Sequence, residues 1–437
     1  VRAGNAARGS TWLGRAIELY RELGDRSEMA RATAALVDAT LHDGWQLEAA
    51  RAIARDAVDE LEDLGTDEGL AELLGQLARI EMLRQDDFSL AIALADRALA
   101  MAERLDLRSL VADLLITRGT ALSSSGRALE GLGAIEAGRR LAQADGLFYV
   151  EARALLNMSG PLAERDPQAM LEASRRALEL ARQVGDRAGV SMAANNMAES
   201  ARYTGDWDEV LAVLTREIEA SGGDDLERVR TALLSITADR GDDTTELMTP
   251  LVDYIQAQIE TGEPAWQAQM DAVLGIVALP AGRYGEAFRR MSLAAEADPF
   301  NAALSYAEAA LAAVLDRDRT AAASALQSMR SIGSHGVVVK LAVRRTEAGI
   351  AALDGDRDQA LAAFRLVLDD YRAMDLPFVQ ATTGLMMAAL LDGSIPEVAA
   401  ATEESRAIFE RLHARAWLDR LDEALSRTPS SAEEAKV

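Results

Sequence analysis

The chain has 437 residues, of which 49% are hydrophobic and only 4% aromatic, and its formal net charge is −25. Because phosphate binding needs clustered lysine and arginine, this charge argues against nucleic acid as a direct ligand. The absence of cysteine excludes disulfides, thiolate metal sites and thiol nucleophiles. The sequence shows neither a signal peptide nor an apolar run near the ~18 residues of a membrane span, so we expect a cytoplasmic protein without membrane contacts.

Helical periodicity runs along the whole chain, and two interleaved sets of turns divide it at intervals of about 40 residues. The first set is Gly44, Asp86, Gly126, Asp166, Gly205, Gly241, Gly282, Asp316, Gly355 and Gly393. The second set is Gly24, Gly65, Asp106, Gly146, Gly185, Gly222, Gly262, Asp298, Gly333 and Asp375. Glycine can end a helix in the left-handed conformation, and aspartate can cap the next one. Two turns per period predict about ten antiparallel helix pairs in an all-α fold.

The turns predict one continuous array over residues 1–427, followed by a disordered tail at 428–437. Glycine-rich and aspartate-rich stretches interrupt the rhythm at 221–250, where we expect Pro250 to start a helix and the array to bend. A locally irregular repeat is the alternative explanation for this stretch. The first helix has no partner before it, so we expect the chain to be a piece of a longer protein.

One repeat carries a small residue in its first helix and a spaced set of packing residues across its second, namely Gly275, Tyr284, Ala287, Met291, Ala294 and Pro299. This pattern resembles the tetratricopeptide repeat (TPR) family, and the resemblance implies a right-handed superhelical solenoid. Most repeats are longer than the family norm and lack the final proline. The chain is therefore similar to the long-helix variants in the C-terminal solenoids of large bacterial signalling ATPases, cyclases and transcriptional regulators.

Searches for catalytic patterns favour a chain that is not an enzyme and needs no cofactor. No phosphate-binding Gly-Lys-Ser or Gly-Lys-Thr sequence is present, and Gly131-Leu132-Gly133 lies inside a helical stretch. The three histidines, His42, His335 and His413, fall in different repeats, so we predict no metal site and no catalytic triad. Paired carboxylates are too common in this acidic chain to be diagnostic.

The TPR resemblance places an asparagine just before the small packing residue, where it commonly faces the concave groove and can bond the backbone of an extended peptide. Asn157 and Asn196 hold this position in adjacent repeats, 39 residues apart. Helical spacing adds neighbours to the same face, so the candidate ligand-binding or peptide-binding residues are Arg153, Asn157, Asn195, Asn196, Glu199, Arg202 and Tyr203. The alternative is that these asparagines decorate the inner helices and bind nothing.

Three functions remain open at this point. The leading hypothesis is a regulatory scaffold that binds another protein, a peptide or another domain of its own parent chain. The second is a sensor whose groove takes a small effector or a signalling peptide, in a closed pocket near Asn157 and Asn196. An enzyme is the weakest of the three. All five tryptophans, Trp12, Trp45, Trp207, Trp266 and Trp417, are expected to pack between helices.

Overall fold

A computed structural model describes residues 6–42, 46–221, 227–260, 264–298, 302–333 and 336–427. In these ranges the chain forms 22 α-helices, one short 3-10 helix at Glu62–Leu64, and no strand. In chain order, α2 to α21 fall into ten pairs, with α1 before them and α22 after them. The predicted all-α, TPR-like class of about ten helix pairs is confirmed, whereas the right-handed superhelix stays a prediction.

The first half of the helices are α1 (Ala6–Leu23), α2 (Arg26–His42), α3 (Leu47–Leu61), α4 (Glu68–Arg84), α5 (Phe88–Arg104), α6 (Arg108–Ser124), α7 (Ala128–Ala144), α8 (Phe148–Ala163), α9 (Pro167–Val184), α10 (Arg187–Thr204) and α11 (Trp207–Ser221). The second half are α12 (Glu227–Arg240), α13 (Thr245–Ile259), α14 (Pro264–Ala278), α15 (Tyr284–Ala297), α16 (Ala302–Leu315), α17 (Arg319–Ile332), α18 (Val337–Leu353), α19 (Arg357–Ala373), α20 (Pro377–Leu390), α21 (Pro396–Arg411) and α22 (Arg415–Arg427). From α2 onward, the even-numbered helices are the first members of their pairs.

Left-handed residues end the helices at the positions that the sequence predicts. Ten glycines have φ between 68° and 87°, and all ten belong to the two sets of turns. Asp106 and Asp375, also in those sets, have φ of 56° and 52°. A side chain is strained at such angles, so the ten glycines favour a helix end at their own positions. Gly44, Gly222 and Gly262 lie outside the described residues.

Small residues let the two helices of a pair approach closely, as the TPR resemblance implies. A Cβ placed on Gly275 in α14 would lie 3.0 Å from the Met291 sulfur in α15. A Cβ on Gly119 in α6 would lie 2.7 Å from the backbone oxygen of Gly131 in α7. Glycine is therefore required at position 119, where the close neighbour is backbone, whereas at position 275 the flexible Met291 side chain would have to shift to admit a methyl group. Pro299, the last residue of the predicted pattern, falls outside the described residues.

The chain forms two compact units. Unit 1 consists of Val1–Pro161 and Arg175–Val190, and unit 2 of Leu162–Ser174 and Ser191–Val437. The single array over 1–427 and its bend near 221–250 stay predictions, and the tail at 428–437 lies outside the described residues. In unit 1 an apolar core gathers buried side chains from α2 to α6, among them Leu61, Leu70, Leu74 and Leu114.

Unit 2 closes on itself, because its last helices contact its first ones. The backbone N–H of Val338 donates to the Glu164 carbonyl at 2.9 Å, and the Gln168 amide donates to the Asp375 carbonyl at 3.2 Å. Farther along, α22 packs on α12, and a Cβ on Gly241 would lie 2.8 Å from the backbone nitrogen of Ala416. The start of α18, the turn before α20 and helix α22 therefore contact the early part of unit 2.

Two local predictions are wrong. Pro250 lies inside α13, which begins at Thr245 because the Asp243 carboxylate accepts a 2.9 Å hydrogen bond from the Thr245 N–H. Proline has no N–H to donate to the carbonyl four residues earlier, so α13 lacks one helical bond there. Trp12 is 68% exposed, since no described helix covers that face of α1.

Trp207 and Trp417 are fully buried, as expected, and Trp266 is half-buried against Tyr254. Trp45 lies outside the described residues.

Candidate functional site

The first helices of unit 1 carry polar side chains at matched positions. Two rows of polar residues repeat at intervals of 41 and then 40 positions. The first row is Glu72, Asp113 and Arg153, and the second is Gln76, Thr117 and Asn157. Because each first helix repeats at this interval, such residues share one register and lie side by side on α4, α6 and α8. A third row pairs Asp38 on α2 with Arg79 on α4, again 41 residues apart. We call these eight residues, with Arg31 at the start of the first row, the polar lattice.

Arg153 connects two helices of the lattice. Its guanidinium donates to the Asp113 carboxylate at 2.5 Å and to the Thr117 hydroxyl at 2.7 Å. It also donates to the Asp113 backbone carbonyl at 3.1 Å. Because Arg153 is only 8% exposed, its charge is neutralised by this pairing and not by solvent.

Arg79 is the second connecting cation of the lattice. It donates to Asp38 at 3.1 Å, and both side chains are about 15% exposed. Burial lowers the pKa of Arg79, but the neighbouring Tyr149, Asp113 and Asp38 outweigh burial and raise the pKa above its ordinary value. Arg79 and Arg153 are therefore held as cations among carboxylates of their own unit.

Glu72 and Gln76 lie one turn apart on α4, and their polar groups have fewer close partners than those of Arg79 and Arg153. Burial raises the pKa of Glu72, while Arg31, 3.7 Å away, lowers it. The Gln76 side-chain oxygen is buried and has no hydrogen-bond partner among the described residues. A buried amide oxygen without a donor costs free energy. An incoming N–H group would recover this free energy only if the Gln76 side chain turned to bring its oxygen to the surface.

The first helices of unit 2 carry a second polar cluster, centred on Arg202 in α10. Its guanidinium donates to the Asp239 carboxylate of α12 at 2.9 Å and lies 3.7 Å from Glu308 of α16. It also lies 5.9 Å from the centre of the Phe378 ring in α20. The other Asp239 oxygen accepts a 2.9 Å hydrogen bond from the Trp417 indole of α22. This cluster therefore joins α10 and α12 to α16, α20 and α22.

An aromatic group packs around the same contact. The Phe378 ring meets Trp207 at 5.2 Å and Trp417 at 5.5 Å between centres, both edge to face. Phe409 stacks on Trp417 at 6.2 Å. Burial raises the pKa of Asp239, and the opposing effects of Arg202 and Trp417 do not cancel this. Asp239 is only 1% exposed, so its charge depends on these two donors.

The seven residues that the sequence nominated fall in both units. Arg153 and Asn157 belong to unit 1, and the other five belong to unit 2. Tyr203 packs against the buried cluster of Val338, Leu341 and Tyr371, and its phenol pKa is raised by burial. Burial also raises the pKa of Glu199, near Arg202. Asn196 is 9% exposed and has polar contacts of its own, and Asn195 is half-buried.

Arg202, Tyr203 and Glu199 therefore lie together, and they interact with other residues of unit 2. Whether any of the seven binds a ligand stays a prediction.

Sequence reasoning missed Gln76, Arg79 and Asp113, although their signal was present. A search for polar residues repeating at 40 or 41 positions would have found the lattice, because that interval brings residues onto neighbouring first helices. Asp239 and Trp417 are 178 positions apart. No repeat interval marks that pair.

A surface hollow of about 390 Å³ lies at the turn before α22. Its lining includes His413, whose φ of 56° places it in the turn, and the ion pair of Arg415 with Asp242. His335 lies outside the described residues. Across the described ranges, no three His, Cys, Asp or Glu side chains are placed to hold a metal ion. Among the described helices, none combines the length and apolarity that crossing a lipid bilayer requires.

No protein-family model matches the sequence, and no curated protein matches it. Solved structures that resemble it include the apo form of the quorum sensor NprR from B. thuringiensis, at 12% identity and a TM-score of 0.42, over 90% of this chain and 99% of that one. Yeast Tom70 matches at 15% identity and a TM-score of 0.33, over 91% of this chain and 90% of that one. A circular tandem repeat protein with a novel repeat topology matches at 16% identity and a TM-score of 0.16, over 96% of this chain and 95% of that one. At these TM-scores the likenesses carry no functional argument.

Proposed function

We propose that the chain is a non-catalytic protein-interaction scaffold, a module of a larger bacterial signalling or regulatory protein that acts in the cytoplasm. Its partner is a protein, a peptide or another domain of the parent chain, and neither nucleic acid nor membrane lipid. The observation that carries this proposal is the polar lattice of unit 1. Its arginines are paired with its own carboxylates, whereas Gln76 keeps an unused acceptor.

The spacing of the lattice suits an extended peptide. Packed helices lie about 8–10 Å apart, so amide groups at matched positions on neighbouring first helices are separated by about that distance. An extended chain advances about 3.3 Å per residue, so about three peptide residues span one interval. Gln76 and Asn157, two intervals apart in the same row, could bond backbone groups about six residues apart. We keep Asn157 in the proposed binding row and assign Arg202 and Tyr203 to holding unit 2 together.

The test is selection from a library of displayed random peptides, with the full chain as bait. We expect wild-type protein to enrich peptides that the Gln76→Ala, Asn157→Ala double variant binds about tenfold more weakly, since two amide hydrogen bonds are lost. Gln143→Ala, on the exposed side of α7, is the matched control and should bind like wild type. Equal binding by the double variant, with circular dichroism showing it folded, would contradict the proposed row.

The second candidate function is an effector-sensing solenoid, and one contact favours it. Arg202 and Asp239 connect the first helices of unit 2 to Phe378 and Trp417 in its last helices. A small charged effector that competed for Arg202 or Asp239 would release α22. Protease protection of α22, measured with and without candidate effectors, separates this function from peptide binding at the lattice of unit 1.

A further inference from the structure

The start of α22 and the turn before it cross three successive turns of unit 2. These turns carry the left-handed glycines Gly205, Gly241 and Gly282, which we call the glycine row. A Cβ on the first would lie 3.2 Å from the Leu412 side chain, and one on the second would lie 2.8 Å from the backbone nitrogen of Ala416. A Cβ on the third would clash with the Arg420 guanidinium. The glycine row therefore lets a helix lie directly on the backbone of three repeats.

Equivalent turns elsewhere in the chain are open. Gly126 in unit 1 and Gly355 in unit 2 belong to the same set of turns and have φ of 87° and 84°. A Cβ on either glycine would meet no heavy atom within 4 Å. A left-handed turn does not by itself bring another element this close, so the close approach at the glycine row belongs to the helix that lies on it.

The polar contacts between α22 and the glycine row all have their donors on α22. The donors are Arg415, Trp417 and Arg420. Their acceptors, in the same order, are the Asp242 carboxylate, the Asp239 carboxylate and the Ala281 carbonyl. Asp242 and Ala281 follow the C-terminal ends of α12 and α14, where the last helical carbonyls favour a cation. The glycine row therefore fits a helix that presents arginine and tryptophan.

The contact of α22 with the glycine row is incompletely packed. The hollow of about 390 Å³ lies beside it, and its lining includes Arg240 and Arg415. The Nε atoms of Arg240 and Arg420 are buried and have no hydrogen-bond partner among the described residues. Protein interiors are normally close-packed with their polar groups paired, so both features weaken the contact. A helix that also filled the hollow would bind the row more tightly than α22 does.

We propose that the glycine row is a docking surface for a basic amphipathic helix of another protein, and that α22 covers the row until that helix displaces it. The partner helix presents arginine, tryptophan and arginine at the spacing of Arg415, Trp417 and Arg420. The net charge of −25 favours a basic partner. This surface lies in unit 2 and does not depend on the peptide-binding row proposed for unit 1.

The first test measures, by fluorescence anisotropy, how a labelled synthetic peptide with the sequence of residues 411–427 binds the full chain. Because α22 competes with the peptide, the wild-type chain binds only in the fraction of molecules whose glycine row is uncovered. Trp417→Phe in the chain removes a donor from α22 and leaves the row unchanged. We therefore expect the peptide to bind this variant about tenfold more tightly than wild type.

The matched control is Trp12→Phe, at an exposed tryptophan of unit 1, which should bind the peptide like wild type. Circular dichroism checks that both variants are folded. Equal affinity of wild type and Trp417→Phe would overturn the proposal, and so would the absence of saturable binding to Trp417→Phe.

The second test locates the peptide by exchanging charges at an exposed ion pair. A chain with Trp417→Phe should prefer the unaltered peptide about fivefold over a peptide with Arg415→Asp, because the latter faces Asp242 with a like charge. Adding Asp242→Arg to the chain should reverse this preference. Both peptides compete with the same α22, so its own strength cancels from the comparison. An unchanged preference would place the peptide away from the glycine row and overturn the proposal.

Discussion

The Trp417 indole donates a 2.9 Å hydrogen bond to the Asp239 carboxylate, 178 positions earlier in the chain. Both residues are almost completely buried. Arg202 donates to the other oxygen of the same carboxylate, also at 2.9 Å. One buried carboxylate therefore joins α10, α12 and α22, and these helices should lose their structure together when unit 2 unfolds.

The Trp417→Phe variant tests this contact, because it keeps an aromatic ring and removes the N–H donor. Leaving the buried Asp239 oxygen without that donor should lower the free energy of unfolding by about 1–3 kcal/mol. Urea unfolding followed by circular dichroism measures the change. Trp12→Phe, at an exposed tryptophan of unit 1, is the control and should unfold like wild type. An equally stable Trp417→Phe variant would show that the hydrogen bond does not support the closure.

The Glu199→Gln variant should make unit 2 more stable at neutral pH. Burial raises the pKa of Glu199 in the folded chain despite the opposing effect of Arg202, so its charged form is disfavoured there. A carboxyl group whose pKa is higher in the folded than in the unfolded chain stabilises the fold most at pH values below its unfolded pKa. This stabilisation is lost as the pH rises through the folded pKa. The advantage of glutamine should therefore shrink on acidification toward the ordinary glutamate pKa of about 4.3.

Urea unfolding at a series of pH values measures this difference. Glu179→Gln, at a 66% exposed glutamate, is the control and should follow wild type at every pH. An advantage of Glu199→Gln that grows as the pH falls would contradict the raised pKa.

Gly119→Ala should destabilise unit 1. The added methyl group would lie 2.7 Å from both the Gly131 carbonyl oxygen and the Ile135 side chain, so α6 and α7 would have to separate. We expect a loss of about 1–3 kcal/mol in thermal or urea unfolding. Gly133→Ala, on the exposed side of α7 with no heavy atom within 4 Å, should instead stabilise the helix by about 0.5–1 kcal/mol. The same sign for both variants would contradict the close helix contact.

Arg153→Ala should destabilise unit 1 more than the loss of a surface arginine does. It would leave the Asp113 carboxylate, 31% exposed, without its cation and the Thr117 hydroxyl without a donor. Because Asp113 remains partly solvated, we expect about 1–3 kcal/mol. Arg140→Ala, at a 75% exposed arginine paired with Glu136, should cost under about 1 kcal/mol. Matching values from urea unfolding would mean that Arg153 is not a structural link.

The sequence was sufficient to predict the helix pairs, because local chemistry sets them. Gly126 and Gly205 end their helices with φ of 87° and 84°. Glycine adopts these angles without a steric cost, so the residue itself predicts the helix end and no distant contact is needed. The contact of Gly275 with Met291 follows from a pattern within one repeat. Such features depend on neighbours less than 40 positions away.

The closure of unit 2 could not be predicted in this way. It depends on small rotations between successive pairs that accumulate until α22 reaches α12, and no single repeat shows their sum. For the same reason Trp12 and Trp417 were both expected to pack, although their surroundings differ. Trp417 meets Asp239 and Phe378, and Trp12 meets no described helix. Of the candidate site, Asn157 was nominated because the TPR pattern names its position, and Arg153 because helical spacing places it on the same face.

The order of charges along the first row of the lattice affects how the array can change in length. In this row two anions, Glu72 and Asp113, lie between two cations, Arg31 and Arg153. Deleting residues 86–125, one repeat of 40, would place Glu72 directly beside Arg153 and Gln76 beside Asn157. Opposite charges would meet across the new junction, and the amide row would become continuous. Unit 1 can therefore lose a whole repeat in one genetic event without leaving Arg153 unpaired.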